Sequence, residues 1–212
     1  MKLLRMLSVS LVALLTAPLV QAESRWFVAP MYGASFGGDL EVTSKLPDQE
    51  RTDVGDLEID DDSHVGLMIG METPDPGNVY LLYSTQSTRF KEGSIAPSNG
   101  VDVDVSYYHF GGSLYFPRGD LEPYLSASIG ATHLKPSGNY SDELAFSLGL
   151  ALGARYMPLE NLGLYAELRG FYTGYDSSTK LVCPDSDGNC TLRIESNGFF
   201  QGQASIGVVV RF

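Results

Sequence analysis

From Arg25 to Phe212 the chain divides into eight segments in which apolar and polar side chains alternate at every second residue. They span 25–36, 63–73, 78–90, 103–116, 122–135, 143–157, 162–175 and 197–212. Strict alternation is the signature of a strand with two unlike faces, and helical periodicity is scarce. In the second segment Val65, Leu67, Ile69 and Met71 share one face, opposite His64, Gly66, Met68, Gly70 and Glu72. In the sixth, Leu144, Phe146, Leu148, Leu150 and Leu152 oppose Ser147, Gly149, Ala151, Gly153 and Arg155. The seventh sets Leu162, Leu164, Ala166 and Leu168 against Tyr165, Glu167 and Arg169. Only the fourth breaks phase: Val103 and Val105 do not share parity with Tyr108, Phe110, Leu114 and Phe116. The break predicts either a bulge or an upper part that rises beyond a lipid layer. Each segment is at least as long as the 9–11 residues of a tilted membrane-spanning strand, against about 5–6 in ordinary globular sheets.

The links between segments sort by length. "PDPG" (74–77), "PRGDL" (117–121) and "PLEN" (158–161) are tight and begin with Pro, while 37–62, 91–102, 136–142 and 176–196 are long and polar. Antiparallel strands with this order place every short turn at one end. That is the plan of an eight-stranded antiparallel barrel crossing a membrane, apolar outside and polar or small inside. Backbone groups in lipid must all be paired, so the sheet has to close, and its last strand must be bonded to its end. Hence the terminal "ASIGVVVRF": Ala204, Ile206, Val208, Val210 and Phe212 are expected to face lipid, and Gln201, Gln203, Ser205 and Arg211 the interior. Trp26, Tyr115, Phe116, Tyr124, Tyr156 and Phe212 are expected in an interfacial aromatic girdle. A soluble lipocalin-type barrel would reverse the two faces.

Ahead of the first strand, Lys2 and Arg5 precede an apolar stretch from Met6 to Val20 that closes on Val20-Gln21-Ala22. This reads as a secretory signal peptide over 1–22, leaving one barrel domain over 23–212. Without Lys2 and Arg5 there are 12 basic side chains against 26 acidic ones, a net charge of −14. Such a chain repels nucleic acid. Cys183 and Cys190, close together in "CPDSDGNC", read in a secreted chain as a disulfide stapling the last long loop.

Candidate chemistry is confined to a few places. Arg155, Glu167, Arg169 and Arg211 all carry inward parity on neighbouring strands, which predicts an interior ion-pair network. With the hairpin centred on Leu159–Glu160, Glu167 falls opposite Gly153, one diagonal step from Arg155. The network reads either as a gate for small ions or, the favoured reading, as a permanent plug, since eight strands enclose only enough room for side chains. The loop 37–62 carries ten acids against Lys45 and Arg51. Asp60, Asp61 and Asp62 are lesser candidates for a divalent cation bridging to lipopolysaccharide phosphates, beside the plainer reading as a solvated charged loop. "DSDGN" (185–189) lacks the distal Glu of a calcium loop. His64, His109 and His133 lie in different strands, and no nucleophile–base pair stands out near an outer rim, although His109 and Ser113 share parity. No catalytic residue and no cofactor is expected.

The signal peptide, "EPYLSASIGATHLK", "HFGGSLYFP" and the closing Val-Val-Val-Arg-Phe together resemble the small OmpA/OmpX-like outer-membrane β-barrel proteins of Gram-negative bacteria. The resemblance runs over the whole mature chain but carries no C-terminal peptidoglycan-binding domain. It implies an outer-membrane location with both termini in the periplasm, and contact with membrane lipid and lipopolysaccharide. It also implies that Phe212, Val210 and Val208 form the signal read by the barrel assembly machinery. The expected function is non-enzymatic: envelope integrity, and surface interaction through the loops 37–62 and 176–196 with an extracellular partner. A narrow channel for small solutes or ions, and then a lipid-modifying enzyme, are the alternatives.

Overall fold

The computed structural model describes residues 25–37, 39–44, 52–58, 60–89, 102–137, 142–174, 192–194 and 198–212. The segments 1–22 and 176–191, with the expected signal peptide and the expected Cys183–Cys190 disulfide, lie outside the described residues. All eight alternating segments form strands of one sheet: β1 (Trp26–Phe36), β4 (Asp62–Glu72), β5 (Gly77–Arg89), β6 (Asp102–Tyr115), β7 (Leu121–Pro136), β8 (Glu143–Tyr156), β9 (Leu162–Gly174) and β11 (Phe199–Arg211). The sheet is a closed antiparallel barrel in the order β1-β11-β9-β8-β7-β6-β5-β4, with β1 bonded to both β11 and β4. No helix occurs among the described residues. The short turns and the seam where the last strand meets the first lie at one end. There Thr73 N–H donates to Gly77 O at 3.0 Å, and Trp26 and Phe212 exchange backbone hydrogen bonds of 3.1 and 2.9 Å. The last strand is therefore paired through its final residue, as a closed sheet requires.

The alternation assigns the faces as read. Leu144, Phe146, Leu150, Leu164, Leu168 and Ile206 are exposed on the outside, whereas Gln201, Gln203, Ser205, Glu167 and Arg169 are buried within. The outer wall of β5, β6 and β7 grades row by row from the turn end towards the loop end. Val79–Gly112–Ala127 and Leu81–Phe110–Ile129 are followed by Tyr83–Tyr108–Ala131, then Thr85–Ser106–His133, and then Ser87–Asp104–Lys135. The two tyrosine rings of the third row lie 5.1 Å apart. From the second row onward apolar, tyrosine, hydroxyl and charged side chains thus follow in the order of falling hydrophobicity.

The structure narrows the sequence expectation at one feature and corrects it at another. β6 has no bulge, since its pairing with β5 and β7 is continuous. Val103 and Val105 instead point inward, fully buried with Leu134, while Asp102 and Asp104 point outward. The change of phase is an inversion of the two faces near the loop end, consistent with an outer surface that is polar there. Secondly, segments read as loops contain β2 (Asp39–Ser44), β3 (Thr52–Glu58) and β10 (Leu192–Ile194), which form a separate antiparallel sheet in the order β10-β2-β3. The first and last long loops are thereby joined. The base of the first is tied to the barrel, with Asp60 N–H donating to Arg89 O at 2.9 Å and Thr88 Oγ1 to Asp60 O at 2.7 Å.

Candidate functional site

The lumen holds the charged and hydrogen-bonding groups singled out in the sequence, and it is filled in successive layers. At the turn end Arg155 and Arg211 meet two carboxylates in an alternating ring. Arg155 contacts Glu72 at 3.1 Å and Glu122 at 2.5 Å, and Arg211 contacts Glu72 at 2.7 Å and Glu122 at 3.4 Å. The four side chains come from β4, β7, β8 and β11, so the ring ties strands that are not all neighbours. Two cations against two anions leave it neutral, and Arg155 is its most buried member, the two carboxylates and Arg211 keeping slight contact with solvent.

Above the ring lies an aromatic layer. The Arg155 guanidinium sits 3.8 Å over the Tyr115 ring, and Tyr115 meets Tyr124 edge to face at 5.9 Å. Asn78 Nδ2 donates to Tyr115 Oη, and the Asn78 carbonyl accepts from Ser113 N–H at 3.1 Å. Tyr115 and Tyr124, expected in the outer girdle, are inside and nearly inaccessible. Their parity decides this: they share faces with Ser113 and Ser126, whereas Phe116 and Trp26, on the opposite parity, are half-exposed outside.

Mid-lumen, Glu167 and Arg169 form a two-pronged ion pair on the same face of β9. Arg169 Nε donates to Glu167 Oε1 at 2.7 Å and Nη2 to Oε2 at 3.0 Å, with both side chains almost fully buried. Tyr124 donates to Glu167 Oε2 at 2.9 Å. Arg169 Nη1 reaches across to Tyr80 Oη at 3.1 Å and to Ser128 Oγ at 3.3 Å. Ser126 gives its proton to Gly112 O at 3.1 Å, so at 2.5 Å it accepts from Tyr80. A buried ion pair survives only when most of its remaining hydrogen-bonding capacity is met, and Tyr124, Tyr80 and Ser128 meet most of it here.

The single network expected from parity is therefore two clusters. Glu167 does face Gly153 in register. Yet Arg155 turns to Glu72 and Glu122, because the Tyr124 ring occupies the space over Gly153: a Cβ there would come within 2.6 Å of Tyr124 Cζ and Oη. Tyr124 thus stands between Arg155 and Glu167. Glu72 and Glu122 escaped the sequence reading, although Glu72 carries the inward parity of Met68 and Gly70. Ion-pair choice across a lumen depends on how the barrel closes, which one strand's pattern does not specify.

Towards the loop end two histidines are each held between two serines. His64 meets Ser35 through Nδ1 at 3.1 Å and Ser205 through Nε2 at 2.9 Å. His109 meets Ser128 through Nδ1 at 3.1 Å and Ser147 through Nε2 at 2.8 Å. Each ring crosses a glycine of the middle strand: His64, Gly33 and Ser205 stand in one register row, as do His109, Gly130 and Ser147. These are struts spanning three strands. No hydrogen bond to a carboxylate is found for either ring among the described residues, and Ser113, which shares parity with His109, is not its partner. His133 lies on the outer wall, 3.5 Å from Asp142. Beyond the struts Tyr107 stacks on Phe171 at 3.9 Å and donates to Gln201 Oε1 at 2.7 Å. Val103, Val105, Leu134 and Phe199 join the buried apolar cluster at that end.

Asp60, Asp61 and Asp62 do not converge on a common point. Asp61 Oδ1 accepts from Gly37 N–H at 3.3 Å and Asp62 Oδ1 from Ser63 N–H at 2.6 Å. Among the described residues no group of three or more His, Cys, Asp or Glu side chains is placed to hold a metal ion.

The sequence matches the profile of the outer membrane protein beta-barrel domain over residues 7–212. Among solved structures the fold is similar to Neisserial surface protein A (NspA; 18 % identity, 89 % of this chain and 97 % of that one, TM-score 0.57). It is similar too to OprG of Pseudomonas aeruginosa (14 % identity, 89 % and 96 %, TM-score 0.61). The outer membrane protein AlkL gives 16 % identity over 89 % and 90 % of the two chains, with a TM-score of 0.52. A search of curated proteins finds no match.

Proposed function

The chain belongs to the outer membrane protein β-barrel domain family, and on that footing we propose that it is a non-conducting barrel that displays a joined loop surface outside a Gram-negative cell. In this reading residues 1–22 are a cleaved secretory signal. Both ends of the mature chain lie on the periplasmic side with the short turns, and the long loops face outward. Phe212, Val210 and Val208 present the closing strand to the assembly machinery. The graded rows on β5, β6 and β7 support this placement: the tyrosine row marks the level where hydrocarbon gives way to head groups, and the charged rows lie among lipopolysaccharide sugars and phosphates. In the same reading Cys183 and Cys190 form a disulfide that staples the last long loop.

The observation that carries the surface role is the sheet β10-β2-β3, which joins strands from the first and last long loops. A barrel built only for envelope integrity has no need to unite them. The ions and hydroxyls packed through the lumen support the plug over the narrow channel. Among the described residues neither buried histidine meets both a serine and a carboxylate, the arrangement of a hydrolase triad.

The test has two arms. Refolded mature protein, verified by its heat-dependent gel mobility, is expected to be silent in planar bilayers. Cells displaying the full barrel are expected to bind host-cell surfaces or one another more than cells displaying a variant with 39–58 replaced by a Gly-Ser link. Reproducible conductance steps would move the assignment to the channel. Equal cell binding by both variants would remove the surface role.

A further inference from the structure

A small void lies inside the barrel between the two ionic clusters. Its volume is about 20 Å³, and its wall includes Asn78, Tyr115, Tyr124, Arg155, Tyr165 and Glu167. One water molecule needs roughly 10–15 Å³ measured this way, together with two to four polar partners. The size admits one water and little else.

A second observation points to the same occupant. Tyr165 is 4 % exposed, and its hydroxyl has no hydrogen-bond partner among the described residues. A buried hydroxyl left without a partner is costly, and native structures rarely leave one so. The neighbouring groups have capacity to spare. Glu167 accepts two bonds from Arg169 and one from Tyr124, of about four that a carboxylate can take. Arg155 spends N–H groups on Glu72 and Glu122 and has others unused. Residues with unused donor and acceptor sites therefore line the same void as the residue that carries the orphan hydroxyl.

We propose that this void is a built binding site for a single water molecule, and that the water joins the turn-end ring to the Glu167–Arg169 pair as one hydrogen-bonded network. The chemistry selects a neutral, two-way ligand. The Arg155 cation disfavours a metal ion, and the Glu167 carboxylate disfavours an anion. The network then runs from Glu72 and Glu122 through Arg155, the water, Glu167 and Arg169 to Tyr80 and Ser128. The inference stands on lumen geometry alone and holds whether or not the loops bind a partner.

Tyr165→Phe tests it by the sign of its effect. If the void is dry, removing an unsatisfied hydroxyl raises stability. If a water bridges Tyr165 to Glu167, the same change removes its bonds and lowers stability. The expected result is a lower urea midpoint for the refolded full barrel. A crystal structure of the unaltered protein at high resolution should also show a solvent peak within hydrogen-bond distance of Tyr165 Oη. A raised midpoint, or a map without density in the void, overturns the proposal.

Discussion

Glu167 and Arg169 show what a buried charge demands of its neighbours. Each is almost completely removed from solvent, and the pair is met by Tyr124, Tyr80 and Ser128. Removing one partner strands the other: Glu167→Gln or Arg169→Met alone is expected to cost about 3–5 kcal/mol of stability. The double variant Glu167→Gln/Arg169→Met should cost far less than the sum, because no ion is left uncompensated. Urea unfolding of the four proteins gives the coupling directly, and additive losses would mean that the pair does not act as a unit. Parity along one strand was enough to place these two residues, and Arg155 and Arg211, inside. It was not enough to pair them. Arg155 finds Glu122 on the adjacent strand but Glu72 on one far from it in sequence, and the ring that turns it away from Glu167 belongs to Tyr124, whose aromatic character suggested a girdle position outside. Where a tyrosine has both a polar tip and the inward parity, parity is the stronger guide.

The strands themselves were readable because lipid and lumen impose opposite requirements on successive residues. The three additional strands were not. β2 and β3 lie within a loop dense in Asp and Glu, where charge obscures the alternation, and β10 has only three residues. The histidine struts were equally hidden, since each needs residues from three strands at matching heights. Their geometry rests on two glycines. A Cβ at Gly33 would come within 2.0 Å of Ala204 O and 2.7 Å of His64 Cε1. At Gly130 it would come within 2.0 Å of Tyr108 O and 2.7 Å of His109 Cα. Backbone cannot yield by that much without breaking the ladder, so Gly33→Ala and Gly130→Ala should each cost more than about 2 kcal/mol. His64→Ala and His109→Ala, which remove the ring and leave the ladder intact, should be milder. The fraction of refolded protein with compact gel mobility before boiling measures both, and an unchanged fraction in the glycine variants would dissociate the struts from barrel closure.

Closing a barrel makes its first and last strands neighbours, and here Arg211 and Phe212 serve different parts of that closure. Phe212 sits outside, 73 % exposed, and exchanges backbone hydrogen bonds with Trp26. Arg211 points inward and is one of two cations in the turn-end ring, while its N–H donates to Asn161 O at 2.9 Å. Deleting Phe212 removes one link of the seam and an apolar outer side chain but leaves the ring neutral. Deleting Arg211 and Phe212 together leaves Glu72 and Glu122 facing Arg155 alone, two anions against one cation in a place of restricted hydration. The second truncation therefore acts on β4, β7 and β8 as well as on the seam. It is expected to depress the urea midpoint of protein refolded in detergent well beyond the effect of losing Phe212 alone. Adding Glu72→Gln to the two-residue deletion should recover part of the loss by restoring neutrality. If both truncations unfold at the same midpoint, the ring contributes nothing to closure, and the last strand is held by its backbone ladder only. In cells the shorter deletion should already lower the amount of assembled barrel, since the assembly machinery is proposed to read Phe212 itself. A gap between normal refolding in detergent and poor assembly in cells would separate the signal carried by the final side chain from the stability carried by the residue before it.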